Sequence, residues 1–144
     1  MESRRVFYAE ANYGQEEIDA VVDVLENQRH ALVTGPKCIE FEKIVAKEYN
    51  KKFGLMSNSG SSANLLAIQA ANLQKGSEVI TPALTFSTTV APLIQSGLKP
   101  IFVDIELETL QASLEEIEGA INDNTSAIMI PNLIGNMIDW EALS

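Results

Sequence analysis

Two periods of apolar residues run along this chain. Ile18, Val21, Val22 and Leu25 fall at the i, i+3, i+4, i+7 spacing, which predicts an amphipathic helix over Gln15–Asn27. The period breaks between Arg29 and Gly35, a predicted loop. Pro36 stands where a first helical residue is favoured. Phe41, Ile44, Val45 and Tyr49 then carry a second helix to about Asn50. From residue 53 the pattern changes to short, mostly apolar runs: Phe53–Met56, Glu78–Thr81, Ile101–Ile105 and Ala127–Ile130 read as four buried strands. Between them, Ala63–Ala71 is rich in good helix formers, and Ser87–Ser96 predicts a helix stopped by Gly97. Ser113-Leu114-Glu115-Glu116 is a capping-box sequence that opens a helix with Leu114, Ile117 and Ile121 turned inward. Pro82 and Pro131 end their strands. Pro92 lies inside a predicted helix, where it costs little only within the first turn.

Apolar strands alternating with helices imply an α/β protein, with a mainly parallel sheet covered on both faces, hence three layers. The 144 residues suit one domain, with no linker, repeat or low-complexity stretch. In such sheets ligands sit beyond the carboxyl ends of the strands. That places the chemistry in three loops: residues 57–62, 82–89 and 131–136.

Composition narrows the function classes. Ten Lys+Arg stand against 20 Asp+Glu, a formal charge of −10. That balance argues against a nucleic-acid surface, which needs clustered cations. No apolar run is long enough to span a membrane, and the N-terminus lacks the apolar core of a secretory signal. One cysteine, Cys38, and one histidine, His30, exclude an intramolecular disulfide and a Cys/His zinc site. A reducing, cytoplasmic setting follows. His30 reads as an exposed loop residue and Cys38 as a small buried filler. All basic residues lie at or before Lys99. Nine carboxylates follow it: Asp104, Glu106, Glu108, Glu115, Glu116, Glu118, Asp123, Asp139 and Glu141. A self-contained domain usually mixes its signs, so the segregation suggests part of a larger protein.

Ser57-Asn58-Ser59-Gly60-Ser61-Ser62 runs from a predicted strand into a predicted helix. A helix start offers unpaired N–H groups and the positive end of the dipole. Gly60 allows close backbone approach and the flanking serines add hydroxyl donors, which together suit a phosphate. The same residues also make an ordinary Ser-capped helix. Neither a P-loop lysine nor a GxGxxG pattern is present, which disfavours a generic dinucleotide unit. Thr81-Pro82-Ala83-Leu84-Thr85-Phe86-Ser87-Thr88-Thr89 places one aromatic among hydroxyls; Phe86 can stack on a flat ring or fill the core. Pro131-Asn132-Leu133-Ile134-Gly135-Asn136 places Asn132 after a buried strand, where its amide can orient a ligand or simply build a turn. Asp104, at the end of its strand, reads as a capping group. No lysine follows a strand end as a Schiff-base lysine would.

In order and spacing, these segments resemble the N-terminal part of the DegT/DnrJ/StrS family. The resemblance rests on Tyr13-Gly14, Glu16-Glu17-Ile18, Thr34-Gly35-Pro36, Phe41-Glu42, Asn58 to Leu65, Gly76, Glu78 to Pro82, Thr85-Phe86, Thr88-Thr89 and Phe102 to Ile105. It covers residues 8–144. It implies the large domain of the aspartate-aminotransferase type fold and pyridoxal or pyridoxamine 5'-phosphate as cofactor. Ser59 to Leu66, Ser87-Thr88-Thr89 and Asn132 to Asn136 look more narrowly like the nucleotide-linked 4-keto-6-deoxyhexose 3-dehydratases, which remove a sugar C3 hydroxyl.

By position, the resemblance implies that Gly60, Ser61 and Ser62 hold the cofactor phosphate, that Phe86 stacks on the pyridine ring, and that Asn132 lies near the cofactor. It implies a nucleotide-linked keto sugar as substrate and a homodimer. The family's acidic partner of the pyridine nitrogen, its proton-handling lysine or histidine, and its small C-terminal domain all match nothing in residues 1–144. The expectation is an N-terminal piece of the large domain, with no catalytic residue of its own and inactive alone. Its apolar tail (Leu133, Ile134, Met137, Ile138, Trp140 and Leu143) is expected to lie bare and to drive self-association. The alternative is a non-catalytic α/β dimerising fragment that binds no cofactor.

Overall fold

The structure is a computed structural model that describes Arg5, Phe7 and residues 9–144. It divides into two compact units, Met1–Met56 and Ser57–Ser144.

The first unit holds α1 (Gln15–Asn27) and α2 (Pro36–Glu48). Helix α1 has the predicted bounds. The Gly14 N–H donates to Glu17 Oε2 at 2.7 Å and secures its first turn. Its apolar stripe is uncovered, with Ile18, Val21, Val22 and Leu25 all 42–58 % exposed. Helix α2 starts at Pro36 and closes in a Schellman motif. Asn50 takes φ 51°, its N–H donates to Lys47 O at 3.1 Å, and the Lys51 N–H donates to Ala46 O at 2.7 Å. Gly35 is buried just before it, and a Cβ there would sit 2.1 Å from the Ala31 carbonyl oxygen. His30 is exposed as expected, whereas Cys38 is half-buried rather than buried.

Phe53–Met56 is not a strand. It lies against α2, where the Met56 N–H donates to Glu42 Oε1 at 2.7 Å. Phe53 and Leu55 are 78 % and 77 % exposed. A strand needs a neighbour to complete its ladder, and among the described residues this segment pairs with none.

The second unit is a parallel three-stranded sheet with helices on both faces. Its elements are α3 (Gly60–Ala71), β1 (Glu78–Pro82), α4 (Ser87–Gln95), β2 (Lys99–Val103), α5 (Leu114–Ala120), β3 (Thr125–Ile128) and the single turn α6 (Trp140–Leu143). The strand order is β2-β1-β3, with β1 central. Successive side chains of a strand point to opposite faces. Val79 accordingly packs with Ile68, Leu93 and Leu98, beneath α3 and α4. Ile80 packs on the other side with Val103, Ala112, Ile117 and Ile138. These two clusters give the three layers.

Several local expectations shift. The sheet has three strands rather than four. β2 starts and ends two residues before the predicted bounds, and Ile105 makes an isolated antiparallel bridge with Ala112 instead. β3 also slips two residues earlier, to where it matches β1, with a register irregularity at Glu78/Val79. Ser113 precedes α5 but does not cap it through its side chain. Its N–H is drawn to the Asp104 carbonyl at 3.0 Å beside the Ile105–Ala112 bridge, and Ser113 is buried. Asp104 keeps a local role, its Oδ1 accepting from the Ile105 N–H at 2.8 Å. Ile121 ends α5 in an extended conformation and is 55 % exposed, so it leaves the inward face. The tail is only partly bare: Ile138 is buried and Leu143 packs against the same core, while Ile134, Met137 and Trp140 are exposed.

Candidate functional site

Ser59 caps α3. Its backbone is extended (φ −163°, ψ 159°) and its Oγ accepts the Ser62 N–H at 3.1 Å. The Ser59 carbonyl accepts the Ala63 N–H at 3.0 Å and the Ser57 hydroxyl at 2.9 Å. These bonds place Gly60, Ser61 and Ser62 inside the first turn of the helix rather than in a loop before it. They also commit the Ser62 N–H to the cap.

The N–H groups of Gly60 and Ser61 have no acceptor among the described residues. A Cβ placed on Gly60 would meet no atom within 4 Å, so the approach to this turn is open. The Ser59 hydroxyl donates to Ser62 Oγ at 3.2 Å, which leaves the Ser62 hydroxyl its own proton to give. No acidic residue lies in this first turn, so nothing local offsets the positive end of the dipole. The arrangement is chemically suited to a dianion such as a phosphate monoester.

Helix α4 stands beside α3. The Asn64 side-chain amide donates to the Thr88 carbonyl at 3.1 Å, and that of Gln69 donates to Ser96 Oγ at 2.7 Å. Start is tied to start and end to end, so the two helices run in the same direction. A groove of about 220 Å³ between them is lined by Ser61, Ser62, Leu65, Thr88, Pro92 and Gln95 among others. The structure therefore brings Ser61 and Ser62 together with Thr88.

Phe86 is the N-cap residue of α4, and its ring is 70 % exposed. It is not a core residue. Asn132 is exposed, four residues beyond the end of β3, and does not line the groove. Two further hydroxyls, Thr81 Oγ1 and Thr85 Oγ1, are buried around the carboxyl end of β1 with no hydrogen-bond partner among the described residues. Unsatisfied buried hydroxyls are costly; both lie in the hydroxyl-rich segment that the sequence marks, which gave no sign that they are buried. The sequence reading gave Asn64 no role of its own. The available signal was Pro92, which deprives the carbonyl four residues earlier of its helical donor.

Among the described residues, no group of three or more His, Cys, Asp or Glu is placed to hold a metal ion. No helix there is long and apolar enough to cross a membrane.

The sequence profile of the DegT/DnrJ/EryC1/StrS aminotransferase family matches residues 11–144. The chain is 35 % identical over 142 residues to GDP-4-keto-6-deoxy-D-mannose 3-dehydratase of Yersinia pseudotuberculosis, covering 94 % of this chain and 36 % of that protein. It is 40 % identical over 134 residues to dTDP-4-dehydro-2,6-dideoxy-D-glucose 3-dehydratase of Saccharopolyspora spinosa, covering 81 % of this chain and 29 % of that one. Its structure superposes on that of the E. coli GDP-4-keto-6-deoxy-D-mannose-3-dehydratase with bound hydrated PLP at a TM-score of 0.85. Identity there is 36 %, over 94 % of this chain and 36 % of that one. The chain thus spans about a third of the length of these relatives.

Proposed function

Because the chain belongs to the DegT/DnrJ/EryC1/StrS aminotransferase family, we propose that it is the phosphate-holding, N-terminal portion of a large domain that uses pyridoxal or pyridoxamine 5'-phosphate on a nucleotide-linked keto sugar. The 3-dehydratase branch is preferred over sugar transamination. That preference rests on the identity to two 3-dehydratases and on the Asn132 to Asn136 sequence. The observation that carries the cofactor reading is the pair of free N–H groups of Gly60 and Ser61 at an open helix start without a carboxylate.

In this reading the Gly60 and Ser61 N–H groups and the Ser61 and Ser62 hydroxyls donate to the phosphate. Gly60 lets the phosphate come close. The exposed Phe86 ring would lie against the pyridine, and Asn132 would stand near the cofactor. When bound, the cofactor supplies an electron sink for bond cleavage beside the substrate carbon. This chain's residues hold and orient it, and none of them is assigned a proton-transfer role. The chain alone therefore turns over no substrate. The exposed apolar stripe of α1 supports self-association, as a homodimer. We place the protein in the cytoplasm, on its single cysteine.

Pyridoxamine 5'-phosphate avoids the adventitious lysine adducts of the aldehyde. Titrating it against the chain is expected to raise the melting temperature and change Trp140 fluorescence, with inorganic phosphate competing. No binding at millimolar ligand would overturn the proposal.

A further inference from the structure

Asn64 stands in the motif that opens α3. Helix α4 begins at Ser87, so Pro92 is its sixth residue and lies in its second turn. A proline there has no N–H for the carbonyl four residues earlier. That carbonyl belongs to Thr88, and the Asn64 amide occupies it at 3.1 Å in a part-buried setting. The helix lacks a donor at one place, and the neighbouring helix supplies one at that place.

We propose that Asn64 is a positioning residue for the phosphate seat, locking the start of α3 to the first turn of α4. Asn64 lies three residues after Ser61, so the two share a face of α3. Holding Asn64 fixes the rotation of the α3 start and thus the direction of the Gly60 and Ser61 N–H groups. Thr88 is two residues after Phe86, so the same bond fixes the helix start that carries the aromatic ring. The Gln69–Ser96 bond ties the far ends and leaves the near ends to Asn64. Pro92 makes the tether specific, because it has no N–H to compete for the Thr88 carbonyl.

The inference rests on the cofactor reading, and the test separates the two. Wild type, Asn64→Ala, Pro92→Ala and the double variant are prepared as the full chain. Each is measured for melting temperature and, by calorimetry, for pyridoxamine 5'-phosphate affinity. Asn64→Ala is expected to melt lower and to bind about tenfold more weakly, ~1.4 kcal/mol. Adding Pro92→Ala gives residue 92 an N–H for Thr88. It should recover part of the melting temperature but not the affinity, because the helices remain untied. Asn64→Leu, which keeps the approximate shape and loses the donor without adding a charge, should show the same affinity loss and serves if the alanine variant does not fold. Affinity unchanged in the Asn64 variants, or restored together with stability by Pro92→Ala, reduces Asn64 to a structural residue and overturns the proposal. Failure of wild type to bind at all removes the phosphate seat itself, and the positioning role falls with it.

Discussion

The side-chain amide of Asn64 on α3 takes the Thr88 carbonyl of α4, at 3.1 Å, in place of the N–H that Pro92 lacks. A proline in the second turn of a helix ordinarily leaves a carbonyl unsatisfied, at a cost near 1–3 kcal/mol when buried. Here the deficit is met from outside the helix. A defect in one element thereby becomes a joint between two.

The cap of α3 should be worth a measurable amount. Ser59→Ala removes the acceptor of the Ser62 N–H and is expected to cost ~1 kcal/mol. For a chain of this size that is a fall of roughly 2–4 °C in melting temperature. Differential scanning calorimetry checks it, and an unchanged transition would mean the cap contributes nothing.

Gly60→Ala separates folding from binding. The added methyl meets no protein atom, so the melting temperature should hold or rise slightly. The methyl would occupy the approach that a phosphate needs, and pyridoxamine 5'-phosphate affinity should drop by about tenfold, ~1.4 kcal/mol. Titration calorimetry on the two proteins decides.

Phe86→Ala is expected to change stability by less than ~1 kcal/mol, because a ring 70 % exposed contributes little to the core. Cofactor affinity should fall with the loss of the stacking face. A large stability loss with intact binding would reverse the assignment.

Gly35→Ala tests the first unit. Its Cβ would lie 2.1 Å from the Ala31 carbonyl oxygen, a backbone atom that cannot swing away. A destabilisation above ~2 kcal/mol is expected, seen as a lower urea midpoint by far-ultraviolet circular dichroism or as earlier proteolysis of residues 28–36.

The start of α1 should respond to acid. The Gly14 N–H, followed by Glu17's own backbone, holds the Glu17 carboxyl below its ordinary value of 4.5. A depressed pKa in the folded state means the stabilisation is present above 4.5 and fades as pH falls through the folded value. Glu17 is fully exposed, so the effect is local. Nuclear magnetic resonance titration of its carboxyl should show the lowered midpoint, and Glu17→Gln should abolish the acid-induced fraying of residues 14–18.

Much of the fold was legible along the chain wherever the signal is local. The four-residue spacing of Ile18, Val22 and their neighbours bounded α1. Pro36 marked the start of α2. Gly97, at φ 73°, stopped α4 as expected, its N–H reaching Ile94 O at 3.0 Å while Leu98 reaches Leu93 O at 2.9 Å. The first turn of α3 was foreseen as a serine-capped helix start, although the helix takes in Gly60 to Ser62 as well.

What the sequence determined by itself, then, are helices α1 to α5, the parallel α/β plan and the ordered motifs that mark the family. Each depends on contacts within about four residues or on residue types that survive in any surroundings. Tertiary structure alone decided that Phe53–Met56 stays unpaired, that β2 and β3 take the register matching β1, that Ser113 serves a bridge rather than a cap, and that Thr88 borrows its donor from Asn64. Those outcomes turn on hydrogen-bond partners distant in sequence. A polar group's nearest free partner in space is known only once the chain has folded.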